Sequence, residues 1–210
     1  MVTKLSKHEK HVVLLCMLIS VFLIIISALG YPGGSLYDQN SVGFDWTKNF
    51  ISNLFQEQAL NGAKNTVRIW ALLGITFYSL GYSLFFFRMS KKIALNHPAT
   101  VLKFVGLANL LFTVLIATPL HDIMVTISST LALLGLFYIT VYIFRTKLRL
   151  FKFFCVISLL IFYYTLFLYG SGDWGLLAVM QKITLICSML LALGLEYFTK
   201  PEDFEQINKA

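Results

Sequence analysis

Charged side chains are scarce in this chain: 13% of its 210 residues, against 58% that are hydrophobic. That ratio excludes an ordinary soluble domain, whose surface carries about 25% charge and whose core cannot take in so much apolar area. Cysteine is nearly missing too. Cys16, Cys155 and Cys187 stand alone inside apolar runs with no CxxC spacing, so neither a disulfide framework nor a zinc site is encoded, and they read as small packing residues. Internal repeats and low-complexity stretches are absent. Also missing is any Asp, Glu, Lys or Arg in the middle of an apolar run, since Lys182 and Glu196 stand toward opposite ends of the last one. Proton-coupled carriers and ion pumps usually need ionisable groups at mid-membrane depth, which argues against secondary transport.

What the chain has instead is a series of apolar runs of spanning length, rich in its 19 Phe and 10 Tyr. At about 17 to 25 residues per spanning helix, the runs fall at about 12–29, 67–87, 101–118, 123–144, 150–169 and 176–198. Lipid offers backbone amides no water, and the alternating pattern of a closed barrel is absent, so the runs are expected to be helices. The fold class is therefore all-α: one polytopic membrane domain over residues 1–210, about six transmembrane helices with a long first loop at 31–66. The first run follows Lys4, Lys7 and Lys10 as a signal sequence would, but it is too long for a signal h-region and reads as a retained span.

The formal net charge of +7 does not point to nucleic acid, because the basic residues cluster between apolar runs rather than along a face or arm. Thirteen of the 17, including Arg88, Lys91, Lys92, Arg145, Lys147 and Arg149, fall on one side of the threading. Only Lys48, Lys64, Arg68 and Lys182 fall on the other. Short basic loops stay cytoplasmic. The expected setting is a plasma membrane or bacterial inner membrane with both termini cytoplasmic, membrane lipids as partners, and the 31–66 loop outside.

That loop is far longer than a typical helix connection and too apolar for a free linker. Asp45 is placed to cap a short helix in which Trp46, Phe50 and Leu54 recur at i, i+4 and i+8, with a looser stretch around Gly33 to Asn40. The reactive residue types gather at the same boundary. Ser52 and His121 are the candidate catalytic pair, nucleophile and general base. Asp38, Asp45, Trp46, Asn49, Asn53, Asp122 and Asp173 are the candidate ligand-binding set. Asp122 is equally placed to cap the fourth helix, and His121 to make a local interfacial hydrogen bond; as sequence neighbours on a helix they are not expected to face each other. Asn109 and the run Ser128, Ser129, Thr130 either line a polar path or bond within and across helices. His8, His11 and His97 fall on the basic side, so no metal site is indicated and no cofactor is expected, although hard cations do favour carboxylate oxygens.

The stretch Asn49-Phe50-Ile51-Ser52-Asn53-Leu54 before the second span, with Thr118-Pro119-Leu120-His121-Asp122 at the turn from third to fourth, resembles the domain-of-unknown-function 998 membrane family. That family is similar in layout to the DRAM and Frag-type proteins, which have six spans and an Ile-Ser-Asp-like element before the second. The chain departs from the pattern, with Asn53 in place of Asp and Leu54-Phe55 in place of Leu-Gly, so no carboxylate role transfers to Asn53. Some members of the wider group are linked to remodelling of lipid anchors. The resemblance implies a six-span fold and a lipid setting more than an activity.

Three functions stay open at this level. The first is binding of a lipid or head group at the outer face, the second an outer-leaflet lipid or acyl hydrolase or transferase using His121, and the third a scaffold subunit of a membrane complex. The charge bias itself is testable: with native cysteines replaced, cysteines at Ser41 and Asn61 are expected to react with an impermeant thiol reagent in intact cells, and one at Asn96 to stay protected. Reversed labelling would overturn the assigned orientation.

Overall fold

The computed structural model describes residues 11–93 and 95–205. It is all-helical, with six helices long and apolar enough to cross a membrane: α1 (Val12–Leu29), α2 (Arg68–Lys92), α3 (Asn96–Leu115), α4 (His121–Phe144), α5 (Arg149–Ser171) and α6 (Trp174–Phe198). Each overlaps one apolar run of the sequence, because a run of that length has only its own backbone to bond to. The ends extend where polar residues still carry helical geometry, as in the last turns of α2. The basic residues Lys4, Lys7, Lys10 and Lys209, and His8, lie outside the described residues.

Helices alternate in direction, so the described parts of both termini lie at one end of the bundle, the terminal end, and the 31–66 segment lies at the other, the first-loop end. α1, α2, α3 and α4 pack in chain order. α1 and α2 approach closely because Gly74 and Gly81 carry no side chain: a Cβ on Gly74 would meet Ile24 at 3.0 Å, and one on Gly81 would meet Cys16 at 3.3 Å. The main core lies toward the terminal end, with Met17, Phe86, Met89, Leu102, Val105, Ile139 and Leu195 among its buried residues. Cys16 and Cys155 are buried packing residues and Cys187 is half-buried; all three are free.

The terminal end is fastened by charge. Arg88 Nη1 donates to Glu196 Oε1 at 2.5 Å, joining α2 to α6. Lys92 Nζ donates to the carbonyls of Leu195 (3.1 Å) and Glu196 (2.8 Å), placing a cation on the final carbonyls of α6, where the helix dipole is negative. His11 Nδ1 lies 2.9 Å from the Tyr197 hydroxyl and ties the start of α1 to the same helix.

A second, smaller core forms at the first-loop end from Ala28, Tyr31, Ile51, Leu54, Phe55, Ala59 and Ala71. Leu54 is 0% exposed at its centre, held in a 3-10 turn at Ile51–Phe55. The expected amphipathic helix is not formed. Trp46 is 48% exposed while Leu54 is fully buried, so the two do not share a stripe, and one helical turn at 45–49 gives way to the tighter 3-10 turn. The i, i+4 spacing failed as a guide because Asn49 and Asn53 bond to local backbone and break the helix between them. Truncating Leu54 to Ala should cost about 2 to 5 kcal/mol. The expected readout is a lowered melting temperature in detergent with faster proteolysis within 45–55; an unchanged melting curve would mean that this core does not hold the loop.

Candidate functional site

The 31–66 segment folds as a cap because side chains pair its backbone groups. Asn49 is fully buried and works in two directions: its Oδ1 accepts from the Asp45 amide at 2.9 Å, and its Nδ2 donates to the Gly34 carbonyl at 2.7 Å. Asn53 Oδ1 accepts from the Phe50 amide at 2.7 Å and caps the 3-10 turn. Asn65 Nδ2 donates to the Leu54 and Gln56 carbonyls, both at 3.0 Å, and Arg68 Nε to Phe55 O at 2.6 Å. The stretch from Gly33 to Asn40, expected to be loose, is tied down as well. Gly34 donates to Ser41 O at 2.8 Å, Ser35 N to Asp38 O at 2.9 Å, and Gly33 bridges to Val42. Gly34 has φ +83° with the Asn61 amide pressed against it, so a side chain there would be strained twice over.

Two consecutive residues of α6 fasten this cap to the bundle. Gln181 Oε1 accepts from the Ile51 amide at 2.9 Å. Lys182 Nζ donates to Asn49 O and to Ala178 O, both at 2.6 Å, and stands 5.8 Å from the centre of the Phe44 ring. Aromatic edges complete the join: Phe50 meets Trp174 at 6.4 Å and Trp174 meets Tyr169 at 5.9 Å, both T-shaped.

Beneath the cap lies a cavity of about 440 Å³ between α2, α3, α4, α5 and α6. Its lining runs from His121 to Ile139 on α4, about 27 Å at 1.5 Å per residue, close to the thickness of a hydrocarbon core. Deep in it, the polar groups are paired with one another. Thr113 Oγ1 donates to Asn109 Oδ1 at 2.6 Å, Ser128 Oγ donates to the same atom at 2.8 Å, and the Thr165 and Thr184 hydroxyls meet at 2.7 Å. The Tyr82 hydroxyl is buried against the cavity beside Tyr78 and Ser188. Near the cap the wall carries Ser52, His121, Asp122, Trp174 and Gln181. No Lys or Arg is among the lining residues.

Of the residues singled out from sequence, Ser52, His121 and Asp122 border this cavity, as do Asn109, Ser128, Ser129 and Thr130; Asp38, Asp45, Trp46, Asn49, Asn53 and Asp173 do not. Five of those six lie in the cap itself, and Asp173 stands at the start of α6. Asp38 accepts from the Asn40 amide at 2.9 Å, and Asp173 caps α6 through the Leu176 amide at 3.2 Å. Asp45 accepts from the Thr47 hydroxyl (2.7 Å) and amide (2.8 Å), which hold its carboxyl below the usual carboxylate range; Lys48 stands 3.5 Å away. Trp46 packs its edge on Phe44, and Phe44 in turn packs on Tyr31. Burial pushes the Tyr31 phenol above its ordinary range, and its oxygen accepts from the Leu60 amide at 3.1 Å. Asp122 is not the cap of α4, which begins after Leu120 without a side-chain cap. Its carboxylate instead meets His121 Nδ1 at 3.0 Å, so the two neighbours do pair at the first turn of the helix. The His121 Nε2 is left without a partner and covered by protein atoms.

Sequence reasoning passed over Gln181 and Lys182 as cap anchors. The signal was present: a Gln-Lys pair inside an otherwise apolar span must find hydrogen-bond partners, and the backbone of the first loop supplies them.

The fold and this site define a six-helix membrane bundle with a capped internal cavity. Comparison with family models, with curated proteins and with solved structures gives no match for the chain. The cap anchor is open to test: Lys182→Met keeps the stem but leaves the Asn49 carbonyl unpaired, so proteolysis within the cap should quicken at least severalfold while the helical content stays unchanged, an expected loss of about 1 to 3 kcal/mol locally. Unaltered cap proteolysis would show that the lysine does not hold it.

Proposed function

We propose that the protein binds a membrane lipid, its tail in the internal cavity and its head group beneath the cap. The observation that carries this reading is a chamber about as deep as a hydrocarbon core whose deep polar groups are mostly satisfied by one another, while those near the cap include Ser52, His121, Asp122 and Gln181. Its volume falls within the range of about 300 to 1,000 Å³ usual for ligand pockets. A tail gains little hydrophobic free energy by leaving bilayer for cavity, because lipid is as apolar as the cavity wall. Selection therefore falls to the head-group contacts. The charge bias supports the orientation with both termini in the cytoplasm of a plasma or bacterial inner membrane and the cap outside. The two short motifs at 49–54 and 118–122, both at the cap, support kinship with the domain-of-unknown-function 998 family.

A lipid or acyl hydrolase or transferase is the second reading, and one observation favours it. The Asp122 carboxylate on Nδ1 leaves Nε2 as the free nitrogen of His121, the arrangement a general base needs, and Ser52 borders the same cavity. Against it, Nε2 is covered in this conformation, so catalysis would need His121 to turn.

One experiment separates the two. Protein purified in mild detergent is expected to carry lipid detectable by mass spectrometry, and Ala132→Phe, which fills the cavity from α4, should at least halve the amount, with an unchanged melting curve. Equal lipid on both proteins would overturn the binding reading. Release of a cleaved or transferred acyl product by the wild type, lost in both His121→Gln and Ser52→Ala, would establish the enzyme instead.

A further inference from the structure

A second space lies against the cavity, on the outside of the bundle. This groove of about 300 Å³ is lined by Asp122, Ile123, Thr126, Ile127 and Tyr169. Three of those five, Asp122, Thr126 and Tyr169, also line the internal cavity. The two spaces therefore lie on either side of these three residues, between the first two turns of α4 and the last turn of α5. These helices are joined by a short turn at the terminal end, between Phe144 and Arg149, and the groove lies at their far ends, next to the cap. Ile123 is 58% exposed on the lipid-facing surface and Thr126 is exposed beside it. At the same end the cap is anchored over the cavity by Gln181 and Lys182.

Charge narrows what can pass. The groove and the cavity together hold one carboxylate, Asp122, paired only with its neighbour His121, and no Lys or Arg. The ammonium of Lys182 is spent on two backbone carbonyls. An anionic head group drawn through the gap would meet the Asp122 carboxylate, whose side chain is 87% exposed, as a like charge screened by water, with no Lys or Arg in the lining to offset it. An uncharged head group with hydroxyls meets instead a carboxylate acceptor, the Thr126 hydroxyl and the Tyr169 phenol.

We infer that the gap between α4 and α5 is a side door through which a single-chain amphiphile with an uncharged, hydroxyl-bearing head group passes from the adjoining leaflet into the cavity. Tyr169 is the door post on α5, and it is coupled to the cap through its T-shaped contact with Trp174 and that of Trp174 with Phe50. This assignment rests on the lipid-binding reading, and the test is arranged so that the two can fail separately.

The protein in phosphatidylcholine nanodiscs is mixed with donor vesicles carrying either a monoacylglycerol or a free fatty acid, each with a photoreactive diazirine in the tail. It is illuminated after short delays at a pH where the fatty acid is ionised. Cross-links are mapped to Leu166, Thr165 and Thr184, deep lining residues on α5 and α6. The monoacylglycerol is expected to label these residues, and the fatty acid about fivefold less, as one like-charge contact in a wet site implies. Asp122→Asn should close that gap. Ile123→Trp and Thr126→Trp, both at exposed positions where a large side chain disturbs no core, should slow deep labelling at least about tenfold without moving the melting curve. Deep labelling of the wild type that the two Trp variants leave at the same rate overturns the side door while lipid binding stands. Equal labelling by both probes in the wild type overturns the charge selection. Absence of deep labelling by either probe overturns the lipid-binding reading and this inference with it.

Discussion

Backbone groups that leave a membrane helix must be paired by something other than lipid, and at the first-loop end of this bundle that demand organises everything else. A segment at 31–66 crosses the mouth without a long helix or a strand, and its own backbone pairings are turns and isolated bridges. Its amides and carbonyls are met by Asn49, Asn53, Asn65, Arg68, Gln181 and Lys182. Because two of these anchors come from α6, the cap and the last helix hold a common position. The cavity exists beneath them because α5 and α6 are fastened to the rest at their ends rather than filled in along their length.

The two ends are fastened by different chemistry. At the terminal end, Arg88, Lys92 and Glu196 form a largely buried ionic cluster, in which removing one member leaves a charge without compensation. At the cap end the bonds run mostly from side chain to backbone and are individually weaker. Between them, the Asn109, Thr113 and Ser128 network joins α3 to α4, and the Thr165 to Thr184 contact joins α5 to α6. Neither network links the two hairpins to each other. The cavity therefore follows the boundary between one cross-linked pair of helices and another.

The six helices were legible in the sequence because spanning length is a one-dimensional property: α1 runs over the same residues, Val12 to Leu29, that hydropathy alone marks. The cap was legible as an ordered, apolar element, but its path was not. Trp46, Phe50 and Leu54 carry a helical spacing, yet Asn49 and Asn53 bond to nearby backbone instead of letting a helix run through. Nothing in a periodic pattern records such bonds. Ser52, His121 and Asp122 were legible as boundary residues, whereas the meeting of His121 with Asp122 depends on side-chain rotamers at a helix start. The anchors on α6 escaped because polar residues in a span are read by their depth, while their partners lay about 130 residues earlier in the chain.

The residues that anchor the cap share one property: Lys182, Asn65, Arg68 and Asn49 each donate to a carbonyl oxygen of the loop, and Arg68 holds the Glu57 carboxylate as well. A carbonyl is the same on every residue. The loop can therefore exchange many of its exposed side chains during divergence and still be held along the same path, whereas the residues that grip it cannot change without releasing it. Sequence drift in this protein should concentrate on the outward face of the cap and spare its holders, so the outer surface can be remodelled over evolutionary time without unsealing the chamber below.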